Sequence, residues 1–224
     1  LANKEKRKVT TGLKDYQKTI DAIQKAGNQV NKNPSLLSMK AESYWHLQDV
    51  NAAINALNEG QRLFPADFRF QKRQVFYFVE LGLYQEAVRL GRDFLKRSKA
   101  SVADYIALGN ALRLSKEYTE ALNILEVARL QFPNDEMVAK LLAHTYLDQG
   151  KLNSAAFILE QAALLNPNLQ AEAAELYRRA GRFHMALTLN ESIGDQKVKL
   201  KQRLSILLAL KRFENAANME ASLY

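Results

Sequence analysis

Residues 102–135 read VADYIALGNALRLSKEYTEALNILEVARLQFPND, and residues 136–169 read EMVAKLLAHTYLDQGKLNSAAFILEQAALLNPNL. The two stretches carry matching residue types in one register. In the first, Tyr105, Leu108 and Leu112 fall at helical spacing, with small Gly109 and Ala111 between them. A break follows at Ser115-Lys116-Glu117. A second apolar face then runs through Tyr118, Ala121, Leu122, Leu125 and Ala128. The second stretch breaks at Asp148-Gln149-Gly150-Lys151, where glycine accepts the left-handed backbone of a helix end. Each stretch therefore predicts two helices joined by a short turn.

The same step extends in both directions. Ala53, Ala87, Ala121 and Ala155 lie 34 residues apart, as do Tyr44, Phe78, Leu112 and Tyr146, and also Val50, Tyr84, Tyr118 and Leu152. The recurring alanine suits a close helix crossing, and the larger residue nine positions earlier fills the wider gap beside it. Pro65, Pro133 and Pro167 fall at one phase of the repeat, with Lys99 at that phase in between. Proline lacks an amide hydrogen and disfavours helix in the residue before it, so it punctuates the units. Asn33-Pro34 and Asn166-Pro167 read as N-caps followed by proline in the first turn. Ser101 and Asp104 read as a capping box with Asp in place of Glu.

The spacing of Leu108, Gly109, Leu112, Ala121, Leu125, Ala128 and Pro133 resembles the tetratricopeptide repeat (TPR) signature. So does that of Leu142, Ala143, Tyr146, Gly150, Ala155, Leu159, Ala162 and Pro167. The resemblance covers 34–67, 68–101, 102–135 and 136–169 as four full units. It implies an all-α fold, a right-handed α-solenoid of helix-turn-helix repeats. Around Ala173, Ala174, Tyr177, Gly181, Phe183 and Ala186 the pattern recurs about three residues early, which predicts a shortened repeat over 170–196. Leu200, Leu204, Leu207, Phe213 and Ala216 predict a truncated C-terminal repeat over 197–224, ending within its second helix. Tyr16, Ile20, Ile23 and Ala26 predict a partial repeat over 1–33. Lys197 to Leu204 alternates as a strand would, but the register places a helix there. The ladder ends on Phe213, Met219 and Leu223 without a polar cap, so a piece of a longer protein, or an end that docks on another subunit, is expected.

Composition narrows the function. Hydrophobic residues make up 47% and charged residues 25%, with 9 Gly and 4 Pro, so the chain is neither low-complexity nor turn-rich. Cysteine is absent, which excludes disulfides and thiolate metal sites and suits an oxidising compartment. No stretch approaches the roughly 20 apolar residues of a membrane helix. His46, His144 and His184 have no ligand spacing, and the chain carries no phosphate loop or nucleophile elbow. Neither a catalytic residue, a metal nor a cofactor is expected, and the chain does not read as an enzyme.

The TPR resemblance implies that the first helix of each pair lines a concave groove. The residues expected there are Met39, Glu42, Trp45 and His46; Arg69, Lys72, Arg73, Phe76 and Glu80; Ile106, Asn110 and Arg113; Lys140, Leu141 and His144; then Glu172, Glu175, Arg178 and Arg179. Trp45, Arg69, Lys72, Arg73, Phe76, Asn110, Arg113, Lys140, His144, Arg178 and Arg179 are the partner-binding candidates. Tryptophan and arginine are enriched at binding hot spots. Trp45 could equally pack between repeats, and the cations could equally form a solvated face. One TPR subclass clamps chaperone C-termini with Lys, Asn and Arg. Asn110 matches that pattern, but Ile106 and Leu141 replace its Lys and Asn, so the clamp is not expected.

The expected function is a protein-protein interaction scaffold or adaptor that holds an acidic or extended partner segment in a basic-aromatic groove. The stretch from Arg182 to Glu220 faintly resembles bacterial envelope TPR proteins of TonB-type systems, which implies a periplasmic location, the cytoplasm being the alternative. The net charge of +8 supports a second reading, a binder of an anionic polymer such as exported polysaccharide or nucleic acid. Lys4, Lys6, Arg7 and Lys8 at one end, and Lys197, Lys199, Lys201, Arg203, Lys211 and Arg212 near the other, motivate it. Nucleic acid is disfavoured because the aromatics mostly occupy core positions.

Overall fold

A computed structural model describes the backbone of residues 2–97 and 100–221 and the side chains of residues 12, 14–96 and 100–214. The readings placed on Lys4, Lys6, Arg7, Lys8, Lys99, Ala216, Met219 and Leu223 therefore lie outside the described side chains. Among the described residues the chain is all-α, with twelve α-helices, two short 3-10 turns and no strand. It divides into two compact units, residues 1–99 and 100–224. Each is a solenoid stack of helical hairpins.

The first unit holds α1 (Ala2–Ala26), α2 (Pro34–His46), α3 (Val50–Leu63), α4 (Arg69–Glu80) and α5 (Tyr84–Arg97). The second holds α6 (Val102–Leu114), α7 (Tyr118–Gln131), α8 (Glu136–Asp148), α9 (Leu152–Ala163), α10 (Gln170–Arg179), α11 (Phe183–Glu191) and α12 (Gln196–Ala221). Local chemistry sets the helix starts. Asn33 Oδ1 accepts from Ser35 N–H at 2.9 Å, and Pro34 opens α2. Asp135 Oδ1 accepts from Val138 N–H at 3.0 Å. Asp104 Oδ2 accepts from Ser101 N–H at 2.8 Å and from Ser101 Oγ–H at 2.6 Å, which closes the box ahead of α6. Asn166 behaves differently. Its side chain makes no cap bond, and Pro167–Leu169 forms a 3-10 turn. The first helix behind that turn, α10, has 10 residues where α6 and α8 have 13.

The hairpin turns share one geometry. The N–H of Asp49, Leu83, Glu117, Lys151 and Arg182 reaches back to the carbonyls of Tyr44, Phe78, Leu112, Tyr146 and Tyr177 at 2.8–2.9 Å. These bonds satisfy carbonyls that the helix end leaves free, in a Schellman arrangement. They also tie each turn to the recurring large residue of the first helix. The arrangement demands a positive φ in the middle of the turn. Gly82, Gly150 and Gly181 supply it at φ 73°, but Gln48 and Lys116 adopt φ 64° and 66° with side chains attached. A non-glycine residue in that region carries about 1–2 kcal/mol of strain. Lys116→Gly is therefore expected to raise stability by roughly 0.5–1 kcal/mol after the entropy cost of glycine, measured as a higher urea midpoint.

The hairpins close on small residues. Ala53, Ala87, Ala121 and Ala155 are all fully buried. Around them the first unit buries Leu37, Leu57, Phe70 and Tyr77, and the second buries Leu125, Leu142, Leu159 and Tyr177. The C-terminal region departs from expectation. Where residues 197–224 were expected to hold one helix and part of a second, α12 runs unbroken from Gln196 to Ala221. No glycine or proline interrupts this stretch, so nothing forces the helix to turn. Its start is capped by Asp195 Oδ1, which accepts from Lys197 and Val198 N–H at 2.9 and 3.1 Å. Buried Asn190 docks it on α11 by donating to Lys199 C=O at 3.0 Å, and Gln202 Nε2–H donates to Ala171 C=O of α10 at 2.7 Å.

Candidate functional site

In the second unit α6 lies directly against α8, and α10 against α12. Between α7 and α9, by contrast, clefts of about 480 and 280 Å³ open on either side of Phe157 and Ile158. Helices that touch on one side and splay on the other make a curved stack. Around α6 to α9 the first helices therefore lie on the inner side of the curve.

Polar side chains bridge successive first helices about one repeat apart. In the first unit, Arg69 Nη1–H donates to Ser35 Oγ at 3.0 Å, and Arg73 Nη2 lies 3.5 Å from a Glu42 carboxylate oxygen. In the second, Arg113 Nη1–H donates to Asp148 Oδ2 at 2.6 Å, and Lys140 Nζ stands 2.5 Å from Glu136 and 4.0 Å from Glu172. Arg178 forks onto Glu175 within one turn, with Nε–H and Nη2–H at 2.8 and 2.6 Å from the two oxygens. That pairing holds the Glu175 carboxyl below the usual carboxylate range. Arg69 also pairs with Asp67 at 3.0 Å.

Most of the expected cations are thus rungs of an ion-pair ladder. Their partners Asp67, Glu136 and Asp148 lie at helix ends, outside the set of residues expected in the groove, so the excess of positive charge there is smaller than the sequence suggests. A separation near the repeat length joining a cation to an acid, such as Arg73 to Glu42, is the signal that would have found the ladder. These pairs are partly exposed, and each such pair contributes under about 1 kcal/mol. Their effect is to fix side-chain positions along the inner surface.

The remaining candidates sort by unit. In the first, Trp45 lies flat on Tyr77 of α4, with ring centroids 3.9 Å apart at 4°. Half-buried, it packs α2 against α4. Burial beneath this stack pushes the Tyr77 phenol up to about 12, with Arg73 opposing the shift. Lys72 leans to the hairpin partner instead, its Nζ 4.9 Å over the Phe94 ring of α5. Phe76 is 50% exposed, and Met39 on α2 is 48% exposed. On α4, Arg69, Arg73 and Phe76 share a face by helical spacing, as Ser35, Met39 and Glu42 do on α2. The Arg69–Ser35 and Arg73–Glu42 contacts bring these two faces together. The result is a strip that carries two exposed apolar side chains beside paired polar groups.

In the second unit, Asn110 accepts from Arg113 Nη2–H at 3.1 Å, so its amide is engaged within the ladder. Leu141 is buried in the core and does not line the inner surface. His144 and Arg179 are exposed. His46 in the first unit stacks on Tyr16 at 4.4 Å. Among the described residues no group of His, Asp or Glu side chains is arranged to hold a metal, and no helix is long and apolar enough to cross a membrane. Sequence reasoning missed the outer clefts altogether. Phe157 and Leu165 are exposed beside them, at positions whose spacing alone does not distinguish surface from core.

Comparison with known proteins agrees with this geometry. A family profile described as anaphase-promoting complex (cyclosome) subunit 3 matches residues 80–162, less than half of the chain. PilW, a type IV pilus biogenesis factor, superposes with a TM-score of 0.64 at 16% identity, covering 87% of this chain and 91% of its own. A thermophilic TPR protein of Thermus thermophilus superposes with a TM-score of 0.52 at 21% identity, covering 80% and 99%. YrrB, a TPR protein with an unusual peptide-binding site, gives 0.58 at 16% identity, covering 81% and 97%. No curated protein matches the chain by sequence. These likenesses show the TPR fold. None of them points to a TonB-type system.

Proposed function

We propose that the protein is a scaffold that binds a segment of a partner protein along its first-helix faces, with Met39 and Phe76 as the apolar anchors of the first unit. A TPR fold supports a binding role, and YrrB's peptide-binding site is a precedent within the fold. The observation that carries the proposal is the strip on α2 and α4. There, two large apolar side chains stand half exposed beside Arg69, Arg73 and Glu42, which are engaged in ion pairs. A preorganised surface loses little side-chain entropy on binding. The partner segment seats apolar side chains on Met39 and Phe76 and presents carboxylates or amides to Arg69 and Arg73.

In the second unit, Asn110, Arg113, Lys140, His144, Arg178 and Arg179 carry the polar part of the same role. An extended or helical partner fits both strips. The ladder weakens the anionic-polymer reading, since Arg73, Arg113, Lys140 and Arg178 already face carboxylates. We place the scaffold in the periplasm, on the strength of a cysteine-free chain, and cell fractionation tests that placement.

Phe76→Ser is the sharper test of the strip than reversing Arg73, because Arg73→Glu would also set two carboxylates against each other beside Glu42. Crosslinking capture in native cells, read by mass spectrometry, should lose its main partner by about fivefold or more in Phe76→Ser, in line with a hot-spot loss of over 1 kcal/mol. Helix content should stay unchanged. Undiminished capture would move the binding role off this strip. Capture of polymer alone, lost as salt rises, would favour the charge-driven reading.

A further inference from the structure

The face of α12 turned away from α10 and α11 carries a second surface. Among the described side chains of α12, Ile206 is the one that is fully buried, packed in the core formed with α8 to α11. On the opposite side Leu200, Leu204, Leu207 and Leu208 are all exposed, Leu204 at 60%. Lys197, Leu200, Leu204, Leu207 and Lys211 are spaced three or four residues apart and repeat every seven, the spacing of a helix seam. The seam is leucine in the middle and lysine at both ends. Exposed Lys201 and Arg212 flank it.

The preceding hairpins show what this face is suited to. Leu204 corresponds to Ala174 of α10, Ala143 of α8 and Gly109 of α6, which are buried where each first helix meets its own second helix. That crossing is tight, since a Cβ on Gly109 would come 2.5 Å from Leu125. Leucine at the equivalent place on α12 forbids so close a partner but suits the wider spacing of a knobs-into-holes seam. α12 also runs straight on to Ala221 instead of turning back to cover the face.

Charge selects the occupant. In an antiparallel pairing of two α12 helices Lys197 would meet Lys211, and in a parallel one each lysine would meet its own copy. Either arrangement sets like charges at both ends of the seam. We propose that this face docks an amphipathic helix of a different protein, one whose apolar stripe is bracketed by Asp or Glu. The site is separate from the α2–α4 strip and does not depend on it.

Two labelled helical peptides of 18 residues test this with the full chain, by fluorescence anisotropy at low salt. Both carry leucine at the seam positions. One brackets them with Glu and the other with Lys. The Glu-bracketed peptide should bind at least tenfold tighter. Leu204→Glu should weaken it at least tenfold without loss of helix content, because Leu204 is solvent-facing, and Lys197→Glu/Lys211→Glu should invert the preference. Absence of binding, or equal binding of the two peptides, would overturn the proposal. So would a wild-type dimer that Leu204→Glu makes monomeric in light scattering, which assigns the face to a second copy. Binding to phosphatidylglycerol vesicles that Leu204→Glu abolishes, with no peptide binding, would assign it to a lipid surface and overturn it equally. A wild-type chain that binds the Glu-bracketed peptide only after truncation behind Glu214 would show that its own C-terminal segment occupies the face.

Discussion

Leu125→Ala is expected to lower stability by about 3 kcal/mol, the middle of the range for a buried leucine truncated to alanine. Leu125 is fully buried in the second unit, on α7, where its branch lies against the bare backbone of Gly109 on α6. A Cβ at position 109 would sit 2.5 Å from Leu125 Cδ2 and 2.7 Å from Cγ. Gly109→Ala alone should therefore destabilise, even though alanine is the better helix former by about 1 kcal/mol. The two changes share one space. The methyl added at 109 enters the room that the shortened residue 125 vacates. The double variant should be more stable than the sum of the single losses implies, by roughly 0.5–3 kcal/mol, the range of coupling between touching residues. Urea unfolding of the four proteins in the cycle measures this directly. Additive losses would mean that the α6–α7 crossing does not rest on this contact.

Gly60→Ala should cost about 2 kcal/mol in the first unit, against the gain of the same helix propensity. Gly60 lies on α3 beneath the ring of Phe70, and an added Cβ would stand 2.3 Å from one ring carbon and 2.4 Å from the next. Phe70 is fully buried, and a ring cannot bend aside as the tip of a flexible chain can. Gly12 on α1 supplies the control. Nothing lies within 4 Å of a Cβ there, so Gly12→Ala should be neutral or slightly stabilising. The contrast between two helical glycines separates packing from propensity. If both substitutions shift the urea midpoint equally, backbone entropy alone decides and the Gly60–Phe70 contact is irrelevant.

The hairpin architecture was legible because it depends on short-range chemistry. The 34-residue recurrence of Ala53, Ala87, Ala121 and Ala155 marks close crossings whichever partners lie further off, and each of these residues is fully buried. Caps at Asn33 and Ser101 could be read for the same reason, since donor and acceptor lie two or three residues apart. Asn166 looked identical in sequence yet makes no cap bond, because the chain enters a 3-10 turn before α10 begins.

The candidate site was only half legible. Spacing put Phe76, Arg69 and Arg73 on one face of α4. It could not say that Trp45 spends its ring on Tyr77, or that Lys72 turns to Phe94 across the hairpin. Nor could it say that Leu141 faces the core.

By itself, then, the sequence determined the repeat register, the small residues at each crossing and the net charge, all properties of neighbouring residues or of composition. Only the tertiary structure decided where that charge acts. Arg73, Arg113 and Lys140 meet Glu42, Asp148 and Glu172 across successive helices, which offsets much of the positive charge on these first-helix faces. It also decided that α12 continues past Phe213 and leaves a leucine seam uncovered. The physical reason is one of range. Helix propensity and capping act within a turn or two, whereas side-chain pairing and exposure depend on the distance between helices that are adjacent in space and about one repeat apart in the chain.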